Sequence, residues 1–374
     1  MFVICIFPIF TVFAEGAVGN KVLFGLAAVL QIGLLFTRPL QRNTVLIWVL
    51  LVVQYVFALV KTQFPMQNSN LLFYYLFSII YAHYMCDNIK EVLDWLRRKR
   101  QFISFIVNLW TIIVGISMFI PSCYRQQLDG GYYFGSFCDT IFRLGPSAMF
   151  IQVLVLALQL IHKNKKAIWY MIIPMYCYLA GSSRTYLIIG ACLLVISWYF
   201  TCKNTRTFWK TVIPLGALVL ALVGASAIGE KIMYTLDDTN YGDIWFRITS
   251  SRNVIWAKCL ASWSSDGLIT QLLGGGIEFT YYASGHWAHN DFVEILCSFG
   301  LIGLISYLWS IRKMFVVGVQ KRTCPRVISV CMVMVWLFNA FFNMHYTYFC
   351  AILCYPLLVF MIGDHFANQK KQSE

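Results

Sequence analysis

The stretch "SGHWAHNDFVEILCSFGLIGLISYLWS", residues 284–310, opens with two histidines, an asparagine, an aspartate and a glutamate, then becomes a long apolar run. A helix needs about 20 predominantly apolar residues to cross a bilayer, so this junction reads as the mouth of a membrane span. Runs of the same kind recur along the chain, at 2–19, 21–37, 43–60, 70–86, 102–120, 144–161, 168–181, 184–200, 211–228, 289–310, 327–344 and 346–362. The 374 residues are 59% hydrophobic and 12% charged, and the mean hydropathy is +0.68. A soluble domain carries about 25% charge. The expected fold class is an all-α polytopic membrane protein, a single integral membrane domain over 1–374 with about 12 transmembrane helices. Pro8 and Glu15 interrupt the first span, and the seventh and eighth form a tight hairpin. The N-terminus has no basic region followed by a cleavage site, so it reads as a span and not as a signal peptide.

The net charge of +13 would suit a nucleic-acid partner, but its distribution argues for none. When the loops are numbered alternately, one side holds 38–42, 87–100, 162–166, 203–210, 312–326 and the tail after Gly363. That side carries 20 of the 29 Lys and Arg, while the other carries 9 of them with 11 of the 16 acids. Basic residues accumulate on the cytoplasmic side of membrane proteins, so both termini are expected there. Two loops fall on the extracytoplasmic side. The smaller is 121–145. The larger is 229–288, rich in Trp and Tyr, and is expected to lie as an ordered cap on the membrane face. Cys123 and Cys138 share the smaller loop, where an oxidising exterior would permit a disulfide. No CxxC, P-loop or Rossmann fingerprint occurs.

Two readings fit the opening stretch. In the plain one the helix caps itself, with Asn290 or Asp291 as N-cap and Glu294 in the first turn, and Gly300 and Gly303, one turn apart, let another helix approach closely. In the other, the spacing is the message: "HNDFVEILCSFGLIG", His289 to Gly303, is His-Asn, nine residues, Gly, two residues, Gly. This pattern resembles that of the O-antigen polymerase and ligase family, the Wzy-type and WaaL-type enzymes. "GSSRTYLIIGACLLVIS" resembles the family's Ser-Arg-Thr turn opening a helix, with Ser183, Arg184 and Thr185 in place. "SSRNVIWAKCLASW", followed by "LLGGGIEF", resembles its outer-loop Arg-x-x-x-Trp segment and Gly-rich turn, with Arg252, Trp256 and Gly274 to Gly276. The 121–145 loop departs from the pattern, reading "CDTIFRLGPS" where Asp-Pro-Asn is usual. The resemblance covers about 120–310 in order.

The resemblance implies a GT-C-like polymerase/ligase architecture and glycosyl transfer on the extracytoplasmic face of a bacterial cytoplasmic membrane, without metal or cofactor. The implied donor is a polyprenyl-diphosphate-linked oligosaccharide. Membrane lipids, a flippase and a chain-length regulator of the same pathway are the implied partners. The chemistry needs a clamp for the diphosphate, and guanidinium forks match phosphate oxygens while staying charged. Arg184 and Arg252 are the candidates, with Arg247 in reserve; the plain reading of Arg184 is a helix-end arginine snorkelling to the interface. A neutral imidazole can accept the acceptor hydroxyl's proton, which points to His289, with Asn290 beside it and Asp291 or Glu294 in support. His286-x-x-His289 with Asp291 lacks HExxH and an evident third ligand, so no metal is assigned. Trp245, Trp256, Trp263, Tyr281, Tyr282 and Trp287 offer flat faces for sugar or for a membrane-surface belt.

The expected function is thus a polysaccharide polymerase joining lipid-linked repeat units of capsule, O-antigen or exopolysaccharide. A ligase moving glycan to a lipid or protein acceptor shares the motif and the topology. A lipid-linked-oligosaccharide flippase is the alternative of a different class; it calls for ionisable residues in mid-span, which the twelve runs nearly lack.

Overall fold

A chain this apolar must satisfy its backbone N–H and C=O groups within each segment, and helices do so. The computed structural model describes residues 1–13, 42–61, 79–126, 131–138, 141–224, 243–319, 324–343 and 349–373, with single positions at 25, 26, 29, 33, 229 and 233. The helices are α1 (Phe2–Phe13), α2 (Arg42–Lys61), α3 (Ile89–Arg98), α4 (Arg100–Ser117), α5 (Ile141–Leu160), α6 (Ile172–Ala180), α7 (Arg184–Thr201) and α8 (Thr205–Gly224). Four short ones follow: α9 (Ile244–Ile248), α10 (Arg252–Ser265), α11 (Leu268–Leu273) and α12 (Phe279–Ser284). The last are α13 (Asp291–Val319), α14 (Arg326–Phe342) and α15 (Phe349–Ser373). Residues 79–87 are also helical. One antiparallel hairpin, β1 (Tyr124–Gln126) with β2 (Tyr132–Phe134), pairs Arg125 with Tyr133. Most of the expected spans 21–37 and 70–86 lies outside the described residues, as does most of 225–242.

Among the described residues four helices are long and apolar enough to cross a membrane, at Arg100–Ser117, Arg143–Leu160, Arg184–Thr201 and Asp291–Val319. Thr44–Ala58 and Arg326–Phe342 are shorter apolar helices. The expected span 168–181 is instead a 3-10 segment, Lys165–Met171, leading into the nine-residue α6. Helix α5 is apolar on all sides and forms the centre, with 94% of residues 143–160 buried, against 33% for Arg100–Ser117. Helices α1, α4, α6, α7 and α15 pack around it. Its few polar side chains stitch the neighbours to it. Tyr178 donates to Gln152 Oε1 at 2.9 Å, Ser197 to Gln159 Oε1 at 2.6 Å, and Trp110 Nε1 to Ser147 Oγ at 2.8 Å. By contrast α2 turns Val45, Leu46, Val49, Leu50, Val53, Val56 and Val60 outward. A contiguous apolar face of this size fits a membrane and not water.

The bundle has two distinct ends. One collects the hairpin, α9 to α12, and the starts of α7 and α13. At the other, Arg97 bonds Asp364 at 2.7 Å and Lys165 donates to the Thr201 carbonyl at 3.2 Å, so the basic loops meet there. Near that end Lys313 Nζ pairs with Asp87 Oδ1 at 2.7 Å, Thr44 donates to Asp87 Oδ2 at 2.7 Å, and His83 bonds Ser310 at 2.7 Å. The sequence puts Lys313 in a loop, but α13 runs on through it to Val319.

Helix α13 breaks at Gly300, where φ is +69° and ψ −173°, a conformation that essentially only glycine adopts. The break leaves carbonyls upstream without their helical partners. Gly275 N donates to Cys297 O at 2.8 Å and Gly276 N to Ser298 O at 3.2 Å. The turn after α11 seats against the break so closely that a Cβ on Gly300 would lie 2.3 Å from Leu272 O. Gly300 therefore admits a loop turn, where the spacing predicts a second span. A Cβ on Gly303 would first meet Phe299 Cβ of its own helix, at 2.4 Å. Helix α2 runs antiparallel alongside, with Thr44 at Lys313, Gln54 near Gly303 and Lys61 near Gly276. Gly300 thus lies level with the end of α2, and residues 301–319 rise about 28 Å, close to the ~30 Å of a bilayer core. The span expected at 289–310 is part of one helix, Asp291–Val319, that is broken at Gly300 and runs on nine residues further.

Candidate active site

Above the break, a cavity of about 480 Å³ opens between α10 and the segment leading into α13. Arg252, Lys258, His286 and His289 supply its basic wall, and Ser250, Ser251 and Ser284 supply hydroxyls. Phe246, Val254 and Ile255 line the rest. Among the described residues the wall contains no carboxylate.

Local structure positions each of these groups. Ser250 and Ser251 hold φ of +52° and +65°, left-handed values that are uncommon outside glycine. They reverse the chain between α9 and α10, so Arg247 and Arg252 point to different places. Arg252 starts α10 on the cavity wall, and one of its guanidinium nitrogens donates to the Phe342 carbonyl. Arg247, the reserve candidate for the diphosphate, is only 7% exposed and does not line this cavity. Arg184, at the start of α7, donates from Nη2 to Ser250 Oγ at 2.6 Å. It therefore joins the site at its rim.

His289 is held from both sides. Before it, Ala288 accepts from Trp256 Nε1 at 2.6 Å through its carbonyl, and its amide donates to Glu294 Oε2 at 3.2 Å. After it, Asn290 caps α13: its Oδ1 accepts from Val293 N at 3.1 Å. Between these anchors His289 adopts φ +48° and turns its imidazole into the cavity. The ring keeps solvent contact through the mouth while protein crowds its other sides. That burial, then the Arg252 charge, then His286, lowers its pKa to about 4, so the ring is neutral at pH 7.

The neighbouring polar residues serve the frame. Asn290, expected beside His289 in catalysis, is 2% exposed and spent on the cap. Asp291 is buried and accepts from Tyr307 at 2.9 Å, with Trp336 Nε1 3.3 Å from the same hydroxyl. Glu294 gathers Thr280 Oγ1 at 2.7 Å, Ser298 Oγ at 3.3 Å and the Ala288 amide. It ties α12 and the 285–289 turn to α13. Of the six aromatic residues considered for sugar contact, none lines this cavity, and Trp256 packs edge-on against Phe341 at 5.1 Å. Cys123 and Cys138 are not joined in a disulfide. Among the described residues no group of three His, Cys, Asp or Glu is placed to hold a metal.

Lys258 and Ser284 join the wall without any sequence pattern pointing to them. Lys258 stands six residues after Arg252 on the same helix, and no motif marks it. Compared with known proteins, the chain matches no family model and no curated protein significantly.

Proposed function

We propose that this chain is a membrane glycosyltransferase that joins polyprenyl-diphosphate-linked oligosaccharide repeat units into a longer polysaccharide, with the cavity on the extracytoplasmic face. One observation carries the reading. His289 of the His-Asn-x9-Gly-x-x-Gly pattern shares a cavity with Arg252 and, through Ser250, with Arg184. Residues far apart in the chain thus meet as an imidazole and a guanidinium in one cavity, with a second guanidinium held at its rim by Ser250.

In this reading Arg184 and Arg252 grip the donor's diphosphate at the membrane surface. The acceptor hydroxyl attacks the anomeric carbon from the opposite face. The carbon–oxygen bond to the diphosphate breaks, and the bonding pair leaves with the prenyl diphosphate, whose growing negative charge the two arginines stabilise. The hydroxyl proton passes to neutral His289. A bound diphosphate offsets the Arg252 charge that depresses the imidazole, which makes His289 a better base when donor is present. Asn290 and Glu294 act as positioning residues, and neither touches the substrate. The charged pair Lys313–Asp87 lies near the far end from the cavity and is matched within the bundle, which favours a structural role over a transport path.

The test is the glycan profile of cells lacking the protein, complemented with wild type or His289→Ala. Single repeat units in place of a ladder, restored to a ladder by wild type alone, support polymerisation. Long polymer stranded on the prenyl carrier indicates transfer to another acceptor. An unchanged ladder in the deletion, with both proteins expressed on complementation, sinks the transferase reading.

A further inference from the structure

Helix α11 carries an aliphatic stripe that the bundle does not use. Leu268 and Ile269 are 69% and 63% exposed, and Leu272, one turn on, is also exposed. Positions i, i+1 and i+4 share one face of a helix. The other face is committed: Thr270 is buried, and α11 packs on α13. The stripe therefore points away from α13.

The depth of α11 is fixed by α2. A Cβ on Gly276, in the turn after α11, would lie 3.1 Å from Ala58 O and 3.2 Å from Lys61 C, and α11 itself touches α2. Val56 is 52% and Val60 79% exposed, so the outward apolar face of α2 reaches its last turn. Lys61 then ends that helix and is exposed, as a lysine at the polar boundary of a span is. Beyond α11, α12 exposes Tyr281 and Tyr282, the residue type that collects at membrane–water interfaces.

We infer that α11 lies in the outer leaflet of the bilayer, with Leu268, Ile269 and Leu272 against the first acyl carbons, and that glycerophospholipid is the partner of this surface. The argument is continuity. The stripe stands beside a face that already meets hydrocarbon, at the level where that face ends. Moving these side chains from water to acyl chains is favourable in proportion to the apolar area removed from water. Helix α11 runs straight into the turn seated at Gly300, so lipid contact at the stripe sets the height of the cap over the bilayer. The inference is independent of the glycan reading, because it concerns only where the cap meets lipid.

The experiment places the photo-crosslinker p-benzoylphenylalanine at position 269 of the full chain, in phosphatidylcholine vesicles. The same group at Val53 on α2 is the lipid-facing reference, and at Lys258, exposed and charged on the cavity wall, the water-facing one. After irradiation, position 269 should carry lipid adduct at about the Val53 yield and about fivefold or more above Lys258. A yield equal to that at Lys258 would overturn the inference. So would cross-linking to a second copy of the chain, which would make the stripe a protein interface. Because benzophenone is itself apolar, the unlabelled surface is read separately. Leu268→Ala with Ile269→Ala removes most of the stripe while keeping helix propensity, and amide exchange over 268–273 should rise about tenfold in the same vesicles. Unchanged exchange would show that α11 is held by protein contacts alone, and the inference would fail.

Discussion

Substituting Gly300 by alanine tests how the cap is joined to the membrane span. At φ +69° and ψ −173° an alanine backbone is strained by about 1–3 kcal/mol. Its Cβ would also lie 2.3 Å from Leu272 O and 2.5 Å from Gly274 N. Both are backbone atoms, so no side-chain rotation relieves the clash. Relief comes by straightening α13, which withdraws Cys297 O and Ser298 O from Gly275 and Gly276. Two hydrogen bonds of about 1 kcal/mol each are then lost. The sum is about 3–5 kcal/mol, enough to lower Tm by several degrees. The displaced turn is continuous with α11 and α12, which frame His289, so transfer activity should fall at least tenfold. Gly267→Ala is the control: its φ is −63° and its Cβ meets nothing within 4 Å. Thermal unfolding in nanodiscs, read by intrinsic tryptophan fluorescence, separates the two. A Gly300→Ala protein with the Tm of Gly267→Ala and full activity would refute the break as the seat of the cap.

Three further outcomes follow from the same geometry. Because folding lowers the His289 pKa to about 4 from about 6.5 in the unfolded chain, the unfolded state binds more protons between those values. His289 therefore disfavours folding increasingly as pH falls from 6.5 to 4, and His289→Gln should remove that contribution, so that the variant gains stability over wild type as pH falls through the window. For the free enzyme, the acid limb of kcat/KM should lie well below 6.5; a midpoint at 6.5 or above would remove His289 as the base. Glu294→Ala unties Thr280, Ser298 and Ala288 together and should cost about 2–4 kcal/mol with near loss of transfer. Glu294→Gln should keep more than half of that stability, and equal losses in both would contradict the pinning role. Removing one partner of the enclosed Lys313–Asp87 pair strands the other, so Asp87→Ala should cost about 3–5 kcal/mol, and adding Lys313→Met should recover much of it. A simple sum of the two single effects would show that the pair is not coupled.

Much of the architecture is legible in the amino-acid sequence. Twelve apolar runs and alternating basic loops indicate a helical membrane protein because hydropathy acts locally: each segment's preference for hydrocarbon depends on its own side chains. The same holds for the Asn290 cap and for the Ser183-Arg184 helix start. The spacing from His289 to Gly303 singles out a segment that lines the cavity, and Arg184 and Arg252 emerge from short patterns around them. What those patterns leave open is which groups share one space. That depends on Ser250 and Ser251 reversing the chain, which removes Arg247 from the wall and brings Arg184 to its rim through Ser250. It also depends on the Gly274–Gly276 turn seating in the break at Gly300, which bends α13 there, and on Glu294 tying α12 and the 285–289 turn to α13. Lys258 enters the cavity for the same reason. Contacts between residues dozens of positions apart have no period along the chain, so only the tertiary structure decides them.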